Sequence, residues 1–283
     1  MSRVAFVIDS TAYVPKELTE GHPIHVVPLV VIWSGETLRD GYEIEPDQFY
    51  ARLKTAKELP STSQPSPAAM KEVYEKLLAE GYEILSVLIS SKFSGTVASA
   101  KQALDQLPGA KIELIDSMTA SMGVGWPVVM AARAAAKGAG LAECKAIVEK
   151  ALQNTGVLLM VDTLEFLHRG GRIGGAQRFL GTALNLKPIL EVVDGAFVGL
   201  ERVRTQRKAL ARLVDLLEER IAGRSPVRLA VIHSAAPEVA AGLLERAAAR
   251  LNPIETATAK VSPTVGVHVG PGAVGLSFTA EVD

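Results

Sequence analysis

A chain of 283 residues is long enough for about two domains with buried cores. Its 30 Lys and Arg against 31 Asp and Glu leave a formal net charge of −1, which excludes bulk electrostatic attraction to nucleic acid or to an anionic membrane. Hydrophobic residues make up 48% and aromatics only 5%, so the core must be built mostly from Val, Leu, Ile and Ala. Cys144 is the one cysteine, has no disulfide partner and falls in a helix-like segment, which fits a reducing compartment. Met1-Ser2-Arg3 runs directly into a strand-like segment, and the longest apolar run, Ile24 to Trp33, is too short to cross a bilayer. The expectation is a soluble, cytoplasmic protein.

Val4 to Ile8 is a continuous apolar run of the kind buried on both faces of a sheet, and it ends at Asp9-Ser10-Thr11. Ile24 to Ile32 predicts a second strand, and residues 46–57 a short helix. Ser66 as N-cap with Pro67 at the first helical position starts a helix that runs to about Glu80 and stops at Gly81. Thr62 and Ser63 are thereby left in a proline-bracketed loop. Ile84 to Ile89 reads as a strand, followed by the hydroxyl-rich turn Ser90-Ser91-Lys92-Phe93-Ser94-Gly95-Thr96 and a helix through Leu104 whose expected N-cap is Ser94. The N–H groups at that helix start, beside a glycine that permits close approach, suit an anionic head group; an ordinary cap without a ligand is the competing reading.

Lys111 to Ile115 is the next strand, ending in Asp116-Ser117, with two helical segments between Ser121 and Asn154. Strands alternating with helices predict a parallel sheet, in which ligands bind beyond the carboxyl ends of the strands. Asp9-Ser10, Ser90-Ser91 and Asp116-Ser117 all occupy such ends. From about residue 158 the pattern changes. Val157 to Val161 is a strand, Thr163 to Gly175 a short helix with a glycine stop and a basic turn, and a further helix is expected near Ala176 to Leu184. Asp194-Gly195 between Pro188 to Val193 and Ala196 to Leu200 marks a hairpin, so antiparallel pairing enters here. Thr205 to Ala222 and Pro237 to Leu251 are helical, Val227 to Ile232 is a strand, and the chain closes with Thr256 to Val261, Val265 to Ala273 and Val274 to Thr279. The absence of a low-complexity linker between the halves suggests a tight interface with a cleft.

Ser94, His268 and Asp9 or Asp116 supply the residue types of a serine hydrolase, but the elbow G-x-S-x-G is missing. Asp9 would suit an aspartyl phosphotransferase, yet Asp9-Ser10-Thr11 has no second acid two places on; capping at strand ends is the favoured reading for Asp9 and Asp116. No phosphate-binding P-loop is present, and the five histidines fall in separate segments without metal-ligand spacing. His268 stands apart because Gly266, Gly270 and Gly272 leave room around it; a core histidine satisfied by backbone is the alternative. Arg202, Arg204 and, on the basic turn, Arg172 can present one face to a phosphate or an acidic protein, whereas the aromatic interleaving of a nucleic-acid surface is missing.

Taken together, Val7 to Thr11, Thr62-Ser63-Gln64-Pro65-Ser66, Ser90 to Thr96, Ile115 to Ser117, Gly170-Gly171-Arg172-Ile173, Leu186 to Ile189, Arg202 to Thr205 and His268 to Ala273 resemble the DegV family of fatty-acid-binding proteins along almost the whole chain. The resemblance implies an N-terminal Rossmann-like α/β domain with a parallel sheet (1–157) and a C-terminal α+β domain with a mixed or antiparallel sheet (158–283), with the ligand between them. It implies a carrier of one long-chain fatty acid, such as palmitate, with no catalytic residues, cofactor or metal of its own. The carrier hands the acid to a separate ATP-dependent fatty acid kinase for acyl-phosphate formation and phospholipid synthesis. By the same resemblance Thr62, Ser94 and His268 hold the carboxylate, while Arg172 docks the kinase, joined by Arg202 and Arg204 of the same basic face. An acyl-ester hydrolase using Ser94 and His268 is the alternative. Lys92 and Phe93 stand where the family pattern has glycine and leucine, and Val269 where it has threonine, which bears on the acyl chain preferred.

Overall fold

The computed structural model describes residues 3–180 and 186–281. The chain opens with β1 (Arg3–Asp9), the short helix α1 (Lys16–Thr19) and β2 (Ile24–Val27). The strand predicted over 24–32 is two strands. Pro28 has no N–H to give to a ladder, and beyond it the chain leaves β1 and forms β3 (Val30–Trp33), which pairs with β4 (Glu36–Arg39). Helix α2 (Pro46–Leu53) is shorter than the predicted 46–57. Thr62 and Ser63, expected in a loop, lie in β5 (Ser61–Ser63), which takes the other side of β3 with Thr62 opposite Val31. A partner strand supplied by the fold overrides a weak local preference here.

Helix α3 (Pro67–Ala79) begins as read, with Ser66 Oγ accepting from the Ala69 N–H at 3.1 Å. Then follow β6 (Tyr82–Leu88), α4 (Thr96–Leu104), β7 (Ile112–Asp116), α5 (Met122–Ala136) and α6 (Leu141–Gln153). The order β2-β1-β6-β7 makes a four-stranded sheet, parallel throughout. Its connections change direction between β1 and β6, so the carboxyl ends of those two strands frame a crevice. Asp9 and Asp116 organise the loops at these ends, as the capping reading expects. Asp9 Oδ2 accepts from the Ile89 N–H at 2.7 Å and Oδ1 from the Thr11 N–H at 3.0 Å. Asp116 Oδ1 accepts from the N–H groups of Ser91 at 3.1 Å and Met118 at 3.2 Å.

The second half contains β8 (Thr155–Met160), α7 (Glu165–Arg169), a 3-10 helix (Gly174–Phe179), the hairpin β9 (Lys187–Val193) and β10 (Ala196–Val203), α8 (Gln206–Ile221), β11 (Val227–His233), α9 (Pro237–Leu251), β12 (Glu255–Lys260), α10 (Pro263–Val269) and β13 (Val274–Ala280). The helix expected near 176–184 is this 3-10 helix in its first part, and residues 181–185 lie outside the described residues. The six-stranded sheet runs β10-β9-β8-β13-β11-β12 and is antiparallel except between β11 and β12. The mixed α/β architecture with one parallel and one mixed sheet is that expected from the sequence; the three-stranded antiparallel sheet β4-β3-β5 is an addition to it. Helix α10 opens with the same Ser-Pro signature as α3, Ser262 Oγ accepting from the Val265 N–H at 3.3 Å.

Helix α5 is apolar all round because both of its faces are covered. Val124, Val128 and Ala131 pack with Phe6 and Leu85 of the parallel sheet, while Met122 and Trp126 pack with Val157, Leu159 and Leu190 of the mixed one. Its Arg133 makes a two-pronged ion pair with Glu255 of β12, both contacts at 2.7 Å. The hairpin turn closes a second contact between the sheets. Asp194 and Gly195 have φ of 48° and 80°, as a tight two-residue turn requires, and the Ser90 hydroxyl donates to the Gly195 carbonyl at 2.8 Å. A methyl group on Gly195 would both strain this backbone and collide with Ser90 Oγ. Gly195→Ala is therefore expected to lower stability by about 2 kcal/mol in urea denaturation; an unchanged midpoint would show that the turn does not hold the two sheets together.

Candidate ligand-binding site

The crevice beyond β1 and β6 is closed over by the second half of the chain into a cavity of about 550 Å³, counting its open mouth. Thr11, Ile89 and Ala120 reach it from the loops after β1, β6 and β7, which is where sequence reasoning expects a ligand. Leu29, Val265, Val269, Phe93 and Phe197 add apolar wall. Thr62, Ser94, Arg172 and His268 all line it, so residues separated by most of the sequence share one space. No carboxylate side chain is among the described residues that line it, which leaves the cavity suited to a negatively charged head with an apolar body.

Each polar group is set by its own element. Thr62 is carried on β5 and His268 on α10, and Thr62 Oγ1 lies 3.0 Å from His268 Nε2. The start of α10 is pinned by buried Asp40, whose Oδ2 accepts from the Thr264 N–H at 3.2 Å and the Ser10 hydroxyl at 3.1 Å; Ser10 Oγ in turn accepts from the Leu29 N–H at 3.0 Å. Burial pushes the Asp40 carboxyl up to about 6. Gly170, next to α7, lies against the other edge of the imidazole: a methyl group there would collide with Nδ1. Nδ1 is buried and has no hydrogen-bond partner among the described residues. An orphaned acceptor is tolerated better than an orphaned N–H, so the ring proton belongs on Nε2, donated to Thr62 Oγ1. The Thr62 hydroxyl proton is then available to a ligand oxygen. Burial, reinforced by the nearby Arg172 guanidinium, pushes His268 down to about 4, so the imidazole is neutral at physiological pH.

Ser94 is not itself the N-cap of α4, but its Oγ still accepts from the first helical N–H, that of Thr96, at 3.4 Å. The chain makes an extra helical turn, Ser94 N–H donating to the Ser90 carbonyl at 3.2 Å, and Gly95 becomes the N-cap. The Ser94 hydroxyl also shares a 2.8 Å hydrogen bond with the Thr96 hydroxyl at the cavity wall. Arg172 is half-buried rather than standing out on a basic surface. Its Nε donates to the Phe93 carbonyl at 3.0 Å and its Nη1 to the Gly170 carbonyl at 2.8 Å. Arg202 and Arg204 are exposed on and just beyond β10 and do not line the cavity; the Arg202 guanidinium lies over the Phe179 ring, 5.0 Å from its centroid.

The pairing needed by a Ser94 and His268 hydrolase is not formed. Nε2 faces Thr62, Ser94 Oγ faces Thr96, and Asp9 and Asp116 are held by backbone N–H groups instead of orienting the imidazole. Sequence reasoning missed Gln64, Thr264 and Phe197 at the cavity. Gln64 lies inside a motif already singled out, and Thr264 follows the readable Ser262-Pro263 helix start. Phe197 carries no signal, because its place depends on how the hairpin docks.

A family model described as "Uncharacterised protein, DegV family" matches residues 3–281. Protein DegV of Bacillus subtilis is 36% identical over 277 residues, covering 97% of this chain and 98% of the relative. A DegV domain-containing protein of Streptomyces coelicolor is 37% identical over 99% of this chain and 100% of its own length. Among solved structures, a DegV family protein from Thermus thermophilus, reported for its fatty acid binding, superposes with a TM-score of 0.93 at 36% identity, covering 98% of this chain and 99% of that one. The structure of the Bacillus subtilis protein, described as a fatty acid binding protein, gives a TM-score of 0.89 at 34% identity over 99% of this chain and 100% of the other.

His268 of ligand-free protein should titrate near pH 4 by imidazole NMR; a midpoint near 6.5 would refute the buried, neutral ring. Between pH 6.5 and about 4 the unfolded chain takes up a proton at this site that the folded one does not, so the contribution to stability is present above 6.5 and lost as pH falls.

Proposed function

This chain belongs to the DegV family, and on that premise we propose that it binds one long-chain fatty acid and presents its carboxylate to a separate ATP-dependent kinase. The observation that carries this reading is the Thr62 hydroxyl held by a neutral His268 at a cavity whose remaining wall is largely apolar. Thr62 and Ser94 donate to the carboxylate, and His268 acts behind Thr62 by fixing the direction of its proton. Neutral donors grip an anion without cancelling its charge, so a carboxylate oxygen keeps its nucleophilicity. In the kinase reaction that oxygen attacks the terminal phosphorus of ATP, the bridging P–O bond breaks, and ADP leaves. The protein supplies the positioned acid and the partner supplies ATP chemistry.

Affinity comes from the tail. At about 0.8 kcal/mol per buried methylene, a long chain contributes on the order of 10 kcal/mol gross before ordering costs. The ligand lies between the halves 1–157 and 158–283. Arg172 at the cavity, with exposed Arg202 and Arg204 beyond it, forms the face to which the kinase docks. A cytoplasmic setting agrees with the buried, unpaired Cys144, and among the described residues no helix is long and apolar enough to cross a membrane.

Protein purified from a bacterial host should release a stoichiometric long-chain fatty acid on organic extraction, read by mass spectrometry; well-folded protein that yields none would sink the proposal. Ser94→Ala should weaken binding of hexadecanoic acid by roughly 1–3 kcal/mol, the scale of a lost hydrogen bond to a charged group. An unchanged dissociation constant would remove Ser94 from the site. Arg202→Ala with Arg204→Ala should slow acyl-phosphate formation by an added kinase while the bound lipid is retained, and equal rates would take these arginines out of the docking face.

A further inference from the structure

Two aromatic side chains meet across the wall of the cavity. Phe93 comes from the loop between β6 and α4 and Phe197 from β10, with ring centroids 4.8 Å apart and planes inclined by 45°. Both line the same cavity as Thr62, Ser94 and Arg172. Their backbones are fixed. The Phe93 N–H donates to the Ser90 carbonyl at 3.0 Å and its carbonyl accepts from Arg172 Nε at 3.0 Å. Phe197 is 7% exposed, and Gly174 lies so close that a methyl group there would press on the Phe197 carbonyl oxygen. Phe93 also directly precedes Ser94 and is bonded by the same arginine that borders His268. The pair therefore stands beside the head-group residues and not at a remote wall.

We propose that the Phe93 and Phe197 pair is a specificity determinant that admits straight acyl chains and rejects acids substituted next to the carboxylate; this rests on the fatty-acid reading above. An acid with its carboxylate on Thr62 and Ser94 passes the rings with its first carbons. A packed contact between anchored aromatic groups does not yield to an added methyl without strain, whereas a branch at the far end of the chain meets other walls. The ligand class is thus the straight-chain carboxylic acids unsubstituted at C2.

Dissociation constants are measured on delipidated wild type, Phe93→Ala and Phe93→Leu for hexadecanoic, 2-methylhexadecanoic and 14-methylpentadecanoic acids. Wild type is expected to bind the 2-methyl acid about tenfold or more weakly than hexadecanoic acid, a ratio that falls to about threefold or less in Phe93→Ala, or in Phe93→Leu should the alanine variant not fold. The ratio for the terminally branched acid is expected to be the same in all folded forms. Equal binding of the 2-methyl and straight acids by wild type overturns the proposal and leaves the carrier reading standing. So does discrimination that survives the substitutions, or a loosening that relaxes both ratios alike. Wild type that takes up none of the three acids overturns the carrier reading itself.

Discussion

The hydrogen bond between Thr62 and His268 joins residues 206 positions apart, and the site depends on it. It exists only because β5 adds to β3 on one side while α10 is pinned at its start by Asp40 on the other. A buried imidazole with one orphaned nitrogen is a poor place for a proton, so the ring stays neutral and serves as a donor. The threonine hydroxyl gains a fixed direction from it. A charged histidine would instead pair with any anion at the cavity and cancel its charge.

Around that bond the protein relies on hydroxyl groups held in directed hydrogen bonds. Ser10, Ser90, Ser94 and Thr62 each stand at the end or edge of a strand or in the loop that follows one, and each makes a directed hydrogen bond. The carboxylates at the same strand ends are occupied with loop backbone and add no competing side chain to the cavity wall. Arg172 is the cation at the wall, and two carbonyl acceptors restrain it. The parallel and mixed sheets are meanwhile joined by α5, by the Arg133 to Glu255 pair and by the Gly195 turn, which keeps the second layer over the crevice.

The parallel sheet and its ligand-bearing strand ends were legible in the sequence because each signal there is local. A buried parallel strand is a continuous apolar run, as in Val4 to Ile8, and a helix start such as Ser66-Pro67 is written in two residues. The Asp194-Gly195 hairpin follows from the same kind of rule, a turn that needs two positive φ values. Motifs spread along the chain pointed to Thr62, Ser94, Arg172 and His268, and the cavity brings all four together.

Sequence alone determined the alternation of elements and the mixed α/β class, since these depend on residues close to one another in the chain. Tertiary structure alone decided that Thr62 lies on a strand, that Gly95 and not Ser94 is the N-cap of α4, that Arg172 turns inward and that Phe197 meets Phe93. These outcomes turn on partners brought from distant parts of the chain. Their energies come from packing and hydrogen bonds that no local pattern encodes.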